Sequence, residues 1–306
     1  MAETISGHGM GWRPDLPSFQ DYDESTTSVP VRLRHRADVT PLKTITEKLG
    51  LTPERVGKMA LPSKVDFRDE CSPIEDQGTL GSCTAHAGVG LVEYYERVTH
   101  GRYIDASRLF LYKTTRNLLN WTGDTGAYLR TTMAALALFG VPPEEYWKYD
   151  PEEFDTEPTA FLYSFGQNFQ ALQYYRLDKP DVIQTELLKK IKARLSRKMP
   201  LVFGFTVYNS IDQAAETGHI PVPCPGDRVA GGHAVMAVGY DDNLQIANAN
   251  CEEVTAKGAL VIRNSWGTGW GEKGYGYLPY EYVIRGLAID WWSLIKAEWV
   301  DLEIFG

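Results

Sequence analysis

The chain is poor in cysteine and in long apolar runs. Four cysteines occur among its 306 residues, which is too few for a scaffold stapled by disulfides. None of them has the Cys-x-x-Cys spacing of a zinc ribbon. The longest apolar stretches, near residues 133–141 and 199–207, are far shorter than the roughly 20 residues that a membrane-spanning helix needs. We therefore expect neither a disulfide-rich miniprotein, nor a zinc ribbon, nor a membrane partner.

An excess of positive charge is also missing. The chain has 31 Lys and Arg against 40 Asp and Glu, a formal net charge of −9. This charge repels phosphates, and no dense basic stripe compensates for it, so nucleic acid is not an expected partner. Hydrophobic residues make up 43% and aromatic residues 12% of the chain, which excludes global disorder. The composition predicts an acidic globular protein with a sizeable core, and we expect a monomer.

The first residues, MAETISGHGMGWRPD, lack a basic stretch followed by an apolar run, so no secretory signal is predicted. Together with the few cysteines, this favours a cytoplasmic, reducing location. A disulfide between Cys224 and Cys251 stays open as an alternative, if strands bring the two residues together.

Residues 1–60 differ in composition from the rest. They are polar and contain two short predicted helices, one with Thr40 as N-cap, Pro41 at its first position and Gly50 as its stop, and one opening at Thr52. We interpret residues 1–60 as an N-terminal extension that lies on a folded body formed by residues 61–306.

Within that body, helical patterns come first and strand patterns later. Helices are predicted over 83–98, over 128–139 and from Asp181, whose spacing to Gln184 resembles a capping box. Residues 151–168 read as an exposed connector, residues 201–207 as a buried strand, and the last third as antiparallel strands. This order predicts an α+β fold with two lobes, about 61–155 and 156–306.

Chemistry concentrates in a few short segments. Cys83 follows Gly81-Ser82 at the start of a predicted helix, where the helix dipole favours a thiolate. A thiolate beside an imidazolium can attack an acyl carbon and protonate the leaving amine. His233 could supply the imidazole and Asn264 could orient it. The amide of Gln77 and the backbone N–H of Cys83 could stabilise the oxyanion.

These segments resemble the papain-like cysteine peptidases, and most of all their bacterial branch. Gln77–Cys83 matches the family pattern Q-G-x-x-G-S-C, residues 233–240 match H-A-V-x-x-V-G-Y, and residues 264–271 match N-S-W-G-x-x-W-G. Residues 61–68 are similar to the start of the family's mature chain. The resemblance covers about residues 61–277, with three motifs in the family's order.

The resemblance implies a helical left lobe, a β-barrel-like right lobe and an active cleft between them. It implies that Cys83 is the nucleophile, His233 the acid and base, Asn264 the orienting residue and Gln77 the oxyanion donor. It implies no metal and no cofactor. It also suggests a set of substrate-binding positions: Gly126 pairing with the substrate backbone, Gly232 before the histidine, Trp266 shielding the His–Asn bond, Trp270 on the leaving-group side, and Ala127 and Ala234 shaping a roomy, apolar pocket for the side chain that precedes the acyl residue.

The chain departs from the family pattern near the nucleophile. Leu80 stands where a cysteine is common, and Thr84 stands where an aromatic residue follows the nucleophile. His233 and Asn264 are 31 positions apart, longer than is usual, and we expect a hairpin insertion around residues 244–257.

Other interpretations of single residues remain open. His86 could be the base, although a packing role is the expected one. His219, Cys224, His233 and Cys251 could form a metal site, but their spacing is irregular. Residues 241–243 read as a turn, with a Ca²⁺ ligand fragment as the alternative.

Three functions compete at this point. The first is a cysteine endopeptidase acting on peptide or protein substrates, a zymogen whose residues 1–60 block the cleft as an intramolecular inhibitor. The second is a peptidase-like module that binds peptides without cleaving them. The third is exopeptidase action, or acyl transfer to an amine, by the same thiolate.

Overall fold

The structure is a computed structural model that describes residues 3–18, 21–23, 41–169, 173–180 and 182–295. The helices are α1 (Leu42–Lys48), α2 (Pro53–Lys58), α3 (Cys83–His100), α4 (Arg108–Leu118), α5 (Leu129–Leu138), α6 (Ala160–Gly166), α7 (Gln184–Leu195) and α8 (Tyr280–Ile284). The strands are β1 (Glu3–Ile5), β2 (His8–Met10), β3 (Lys64–Asp66), β4 (Gln173–Arg176), β5 (Leu201–Tyr208), β6 (Val229–Asn248), β7 (Cys251–Arg263), β8 (Tyr275–Pro279) and β9 (Ala288–Ile295).

Helices α3, α4 and α5 form the helical part of the body. Helix α3 is buried along most of its length and ends at Gly101, which takes a left-handed conformation with φ of 68°. Gly88 lets the helices approach closely, because a Cβ there would lie 3.1 Å from Thr132 and 3.2 Å from Leu111. No helix in the described ranges is long and apolar enough to cross a bilayer.

A seven-stranded antiparallel sheet forms the other part. Its order is β4-β9-β5-β6-β7-β8, and β3 pairs with β6 outside this path. Strand β6 is its central element and pairs with β5 along one edge, where His233 lies opposite Phe205. Helix α3 packs against β6, which brings the start of the helix to the residues that follow Gly232. Helices and sheet together confirm the predicted α+β class, while the lobe boundary near residue 155 stays a prediction.

Most predicted elements are found near their expected positions. Helix α3 begins at Cys83, α2 begins after Thr52, and β5 covers the predicted strand. The hairpin insertion is present, since Gln245 pairs with Lys257 between β6 and β7. Thr40 and Asp181 lie outside the described residues, so their predicted capping roles are not addressed; α7 begins at Gln184.

The connector predicted over residues 151–168 is largely exposed, as expected, but part of it is regular structure. It contains α6, whose N-cap Thr159 accepts a hydrogen bond from the Leu162 amide. Aromatic residues of this helix pack on their neighbours, as Tyr163 does on Phe139 at 5.3 Å between ring centroids. Tertiary packing therefore stabilises a helix too short to be recognised by periodicity.

Cys224 and Cys251 form a disulfide that ties the start of β7 to the loop before β6. Both sulfurs are therefore unavailable as metal ligands, which removes the alternative of a site shared with His219 and His233. Disulfides persist mainly in oxidising compartments. The pairing weighs against a cytoplasmic location, and the compartment itself stays a prediction.

Removing this disulfide tests its contribution to stability. The bond closes a loop with a sequence separation of 27, and cross-links of that size stabilise folded proteins by about 2–4 kcal/mol. We expect a variant with Cys224→Ser and Cys251→Ser to lose about that much free energy of unfolding in urea titrations. The unsubstituted chain in reductant serves as the control and should fall to the same value. Equal stability of the oxidised chain and the variant would contradict the pairing.

Candidate active site

Cys83 is the first residue of α3, and its side chain is fully buried. Backbone amides surround its sulfur, from Ala234 on β6, from Thr84 on its own helix, and from Gly11 and Trp12 in the N-terminal region. The contact with Ala234 places the sulfur beside the residue that follows His233. Cys83, from the helical part of the molecule, thus contacts β6, the strand of the sheet that carries His233.

His233 is held by Asn264. Its Nε2 lies 2.7 Å from Asn264 Oδ1, and that oxygen also accepts the Ser265 amide at 2.8 Å. Because a carboxamide oxygen only accepts, Nε2 carries the proton and donates it. The other ring nitrogen, Nδ1, is buried and makes no hydrogen bond among the described residues. Nδ1 is therefore the ring nitrogen that can accept and return a proton during catalysis.

Gln77 is fixed at both ends of its carboxamide. Its Oε1 accepts from Ser265 Oγ at 2.6 Å, which orients the Nε2 group. That nitrogen donates to Leu80 O at 2.8 Å and to Gly9 O at 2.9 Å. Gln77 therefore binds a peptide carbonyl in this structure, as an oxyanion donor must. The role of Ser265 was not recognised in the sequence, although it directly follows Asn264.

Trp266 covers the histidine, and Trp270 packs behind it. The Trp266 ring lies 4.7 Å from the His233 ring, between centroids, and Trp270 packs edge-on against Trp266 at 5.2 Å. Both indoles are almost completely buried. Trp266 is thus placed to shield the hydrogen bond between His233 and Asn264 from water. His86 packs edge-on against Tyr149 at 5.0 Å, and burial lowers its pKa to about 3, consistent with a packing role.

Residues 8–13, which we call the cleft segment, pass directly over these groups. Three backbone hydrogen bonds hold the segment on the side of the cleft opposite the leaving-group side. Ala127 N donates to Gly11 O at 2.8 Å, Trp12 N donates to Gly232 O at 3.1 Å, and Arg13 N donates to Ala127 O at 3.1 Å. On the other side, His8 stacks on Trp266 with 5.0 Å between ring centroids. The segment therefore runs through the cleft as an extended strand.

Glycine is required where the cleft segment crosses the nucleophile loop. A Cβ on Gly9 would lie 2.5 Å from Thr79 O, and one on Gly11 would lie 1.8 Å from Gly81 O. Real side chains do not approach so closely, so only glycine fits at either position. The alternation Gly7-x-Gly9-x-Gly11 is the signal that the sequence interpretation missed.

Trp12 fills a pocket beside Ala127. Its Nε1 donates to Asp290 Oδ2 at 3.1 Å, and a Cβ on Gly204 would lie 1.9 Å from its ring. The expectation of a wholly apolar pocket is therefore wrong, because a buried carboxylate lies at its end. Neither Gly204 nor Asp290 was singled out in the sequence, since they lie far from the motifs and reach the cleft only through β5 and β9.

Burial by the cleft segment changes the ionisation of the catalytic groups. Removal from water raises the pKa of the Cys83 thiol to about 11, and the surrounding amides only partly oppose this. The same cause lowers the pKa of His233 to about 4, although the hydrogen bond that His233 Nε2 donates to Asn264 Oδ1 opposes this. Both shifts favour the uncharged forms of the two groups. They therefore disfavour the thiolate–imidazolium pair while the segment is in place.

The structure brings most of the predicted site residues together. The four residues assigned to catalysis lie close to one another, and five of the six assigned to substrate binding lie beside the cleft segment, Cys83 or His233: Gly126, Ala127, Gly232, Ala234 and Trp266. Trp270 packs behind Trp266, and the roles of all ten residues stay predictions. A Cβ on Gly126 would lie 2.1 Å from Gly11 O, so that glycine allows a backbone to pass closely. These contacts are made by the chain's own N-terminal residues.

Comparison with known proteins agrees with this geometry. A sequence model described as papain family cysteine protease matches residues 61–284. An uncharacterized peptidase C1-like protein of Acanthamoeba polyphaga mimivirus is 35% identical over 72% of this chain and 68% of its own. The crystal structure of xylellain, a cysteine protease from Xylella fastidiosa, has a TM-score of 0.71 and 31% identity, covering 97% of this chain and 98% of that one.

This chain belongs to the papain family of cysteine proteases. The family relationship confirms the resemblance and the α+β papain-like fold. Chymopapain of Carica papaya is a more distant relative, 26% identical over 70% of this chain. The chain spans about half the length of that protein, 54%.

The ionisation state of Cys83 can be measured by alkylation. Only the thiolate reacts, and a raised pKa moves thiolate formation to higher pH. We expect alkylation of Cys83 in the full chain by iodoacetamide to be slow at pH 7 and to rise only as the pH approaches about 11. Peptide mass spectrometry would identify the modified residue.

Cys71 is the necessary control, because it is also a free, buried cysteine whose pKa burial raises to about 11. In a Cys83→Ala variant, the remaining alkylation gives the contribution of Cys71 to the total labelling. Rapid labelling of Cys83 at neutral pH in the full chain would contradict the buried, protonated state.

Proposed function

We propose that the protein is a cysteine endopeptidase whose own N-terminal segment keeps it inactive. The observation that carries the proposal is the position of residues 8–13 over Cys83, which leaves the sulfur fully buried. Family membership supports hydrolysis of peptide bonds. The contacts of the cleft segment support its action as an intramolecular inhibitor.

In the active state the segment has left and water reaches the cleft. His233 Nδ1 then takes the proton of Cys83, giving a thiolate at the start of α3. The thiolate attacks the carbonyl carbon of a bound peptide. The developing oxyanion accepts hydrogen bonds from Gln77 Nε2 and from the Cys83 backbone N–H. His233 returns the proton to the leaving nitrogen, the C–N bond breaks, and a thioester remains.

The second half of the reaction releases the acyl group from Cys83. His233 removes a proton from a water molecule, whose oxygen attacks the thioester carbonyl. The same donors hold the oxyanion again. The C–S bond then breaks, the sulfur regains its proton, and the carboxylic acid product leaves. Asn264 keeps the imidazole in the tautomer that this cycle needs, and Trp266 keeps the bond between them dry.

The contacts of the cleft segment bear on whether it is cut. Gln77 binds the carbonyl of Gly9, whereas the sulfur faces the amide N–H groups of Gly11 and Trp12. Attack requires one peptide bond to place its carbon at the sulfur and its oxygen at Gln77. Because amide N–H groups face the sulfur, we expect the segment to block the cleft without being cut there.

The course of the segment also favours internal cleavage of substrates. The described chain continues on both sides of the cleft, through the β1–β2 hairpin on one side and through residues 14–18 on the other. Arg130 holds this second side through Asp15 and Leu16 O. A cleft that accepts a chain extending both ways accepts the interior of a polypeptide, whereas an exopeptidase needs a closed end.

Two alternatives remain as outcomes of experiments. A peptide-binding module without turnover is suggested by Thr84 and by the insertion before Asn264. Thr84 is buried within α3, which favours a packing role for it. Acyl transfer to an amine would use the same thioester. A bacterial origin is a prediction supported by the 31% identity to xylellain.

Replacing Trp12 tests the restraint. Its side chain is 5% exposed, and removing a buried indole costs about 3–5 kcal/mol. We expect the full chain with Trp12→Ala to hydrolyse a fluorogenic peptide at least tenfold faster than the unsubstituted chain, because the segment leaves the cleft more often. A suitable matched control is Leu16→Ala, since Leu16 lies three residues beyond the cleft segment and its side chain is 78% exposed.

Equal rates for the unsubstituted chain and for Trp12→Ala would rule out restraint by the cleft segment. To separate turnover from binding alone, both proteins are treated with an epoxide inhibitor that alkylates catalytic thiolates. We expect labelling in Trp12→Ala and none when Cys83→Ala is added. Labelling without hydrolysis of any peptide would favour the binding module.

Product masses distinguish the modes of cleavage. We expect Trp12→Ala to cut a defined unstructured polypeptide at internal bonds, giving complementary fragments from the first minutes of digestion. A peptide with both ends blocked, by acetyl and amide groups, should be cut at a similar rate. A ladder that shortens from one end, abolished by blocking that end, would establish exopeptidase action instead.

A further inference from the structure

The pocket that holds Trp12 contains a carboxylate fixed for hydrogen bonding. Asp290 is fully buried, and its Oδ2 accepts the indole N–H of Trp12 at 3.1 Å. Its other oxygen, Oδ1, accepts Trp292 Nε1 at 2.7 Å and lies 3.2 Å from Arg176 Nη1. One oxygen is therefore engaged by the body of the protein, and the other is available to whatever fills the pocket.

The backbone around Asp290 is arranged to hold that carboxylate. Asp290 has a φ of 65°, a left-handed conformation that is uncommon for residues other than glycine. The carboxylate of Asp178 stabilises it by accepting the amides of Asp290 and Trp291, each at 2.8 Å. Arg176 donates to the same Asp178 carboxylate through Nε and Nη2, at 3.0 Å each. Backbone strain of this kind persists only where surrounding contacts enforce it.

The walls of the pocket match a flat ring. A Cβ on Gly204 would lie 1.9 Å from the indole, and one on Gly232 would lie 2.8 Å from its six-membered ring. Both positions are open only because they are glycine. The pocket therefore fits a planar aromatic ring, and a hydrogen-bond acceptor lies at its end.

From this arrangement we infer that Asp290 is a specificity-determining residue, which selects tryptophan in the substrate position before the acyl residue. The inference rests on the proposed function, since a substrate enters this pocket only after the cleft segment has left. Phenylalanine would fill the walls but leave Oδ2 without a donor, which is costly for a buried polar atom. A cationic side chain gains less, because Arg176 already pairs with the carboxylate.

The test uses the full chain with Trp12→Ala, in which the pocket is vacated. Its substrates are peptides that differ at one position only, carrying tryptophan, 3-benzothienylalanine, phenylalanine or arginine. Benzothienylalanine has the shape of tryptophan with sulfur in place of the N–H. We expect kcat/KM for tryptophan to exceed that for benzothienylalanine by about tenfold, as for a buried acceptor left without its donor, and to exceed that for arginine.

Asp290→Asn, added to Trp12→Ala, tests the residue itself. The Asn oxygen keeps the partners Trp292 and Arg176, which places its NH₂ group where Oδ2 was. A donor would then face the indole N–H. We expect the ratio of tryptophan to benzothienylalanine to fall to about one, while the ratio of benzothienylalanine to phenylalanine stays unchanged. If Asp290→Asn does not fold, the substrate pair on Trp12→Ala still decides the question.

Equilibrium binding separates this inference from the proposed hydrolysis. The four peptides are titrated calorimetrically into the full chain with Cys83→Ala and Trp12→Ala. Tighter binding of tryptophan than of benzothienylalanine, without cleavage by the Cys83 form, supports the pocket and counts against the hydrolase. Cleavage with equal kcat/KM and equal binding for these two peptides overturns the role of Asp290 and leaves the hydrolase standing.

Discussion

The packing of the first turn of α3 against β6 is the constraint on which the rest of the molecule depends. It brings a cysteine at a helix N-terminus to the strand that carries His233, so that the Ala234 amide reaches the sulfur. Each partner is rigid for its own reason, one as a buried helix and the other as the central strand of an antiparallel sheet. Rigid elements hold reacting groups more accurately than loops do.

The same cleft supports two electrostatic states. With the N-terminal segment in place, burial favours the neutral forms of Cys83 and His233, because a charged pair without water would require a large desolvation energy. With the segment absent, water and the helix dipole favour the charged pair. In the proposed restraint, the segment acts both by occupying space and by changing the dielectric environment. Its glycines permit the close approach on which both effects depend.

Trp12 connects restraint and recognition. Its indole fills the pocket that ends at Asp290, and its amide binds Gly232. An inhibitory segment that binds in the same pocket as a substrate must have a side chain that fits the shape and the hydrogen-bond acceptor of that pocket, as a substrate must. The proposed selectivity and the proposed restraint therefore share one set of contacts.

Much of the site was predictable because its residues lie within contiguous motifs. Gln77 and Cys83 belong to one loop and helix start, and Asn264 and Trp266 to one strand end, so local spacing already fixes their relation. Helices α3 and α5 were predictable from periodicity and flanking glycines. Helix α6 was not, because a seven-residue helix held by aromatic packing leaves no clear periodic pattern.

The sequence by itself determined the nucleophile, its partners, the α+β class and the presence of a distinct N-terminal extension, since each follows from local motifs and composition. Only the tertiary structure decided which residues of that extension enter the cleft and what lies at the end of its pocket. Gly204, Asp290 and Trp12 are distant in sequence and have no motif in common. They meet because β5 pairs with β9 and because the cleft segment passes over these strands. No local sequence pattern encodes either of these arrangements.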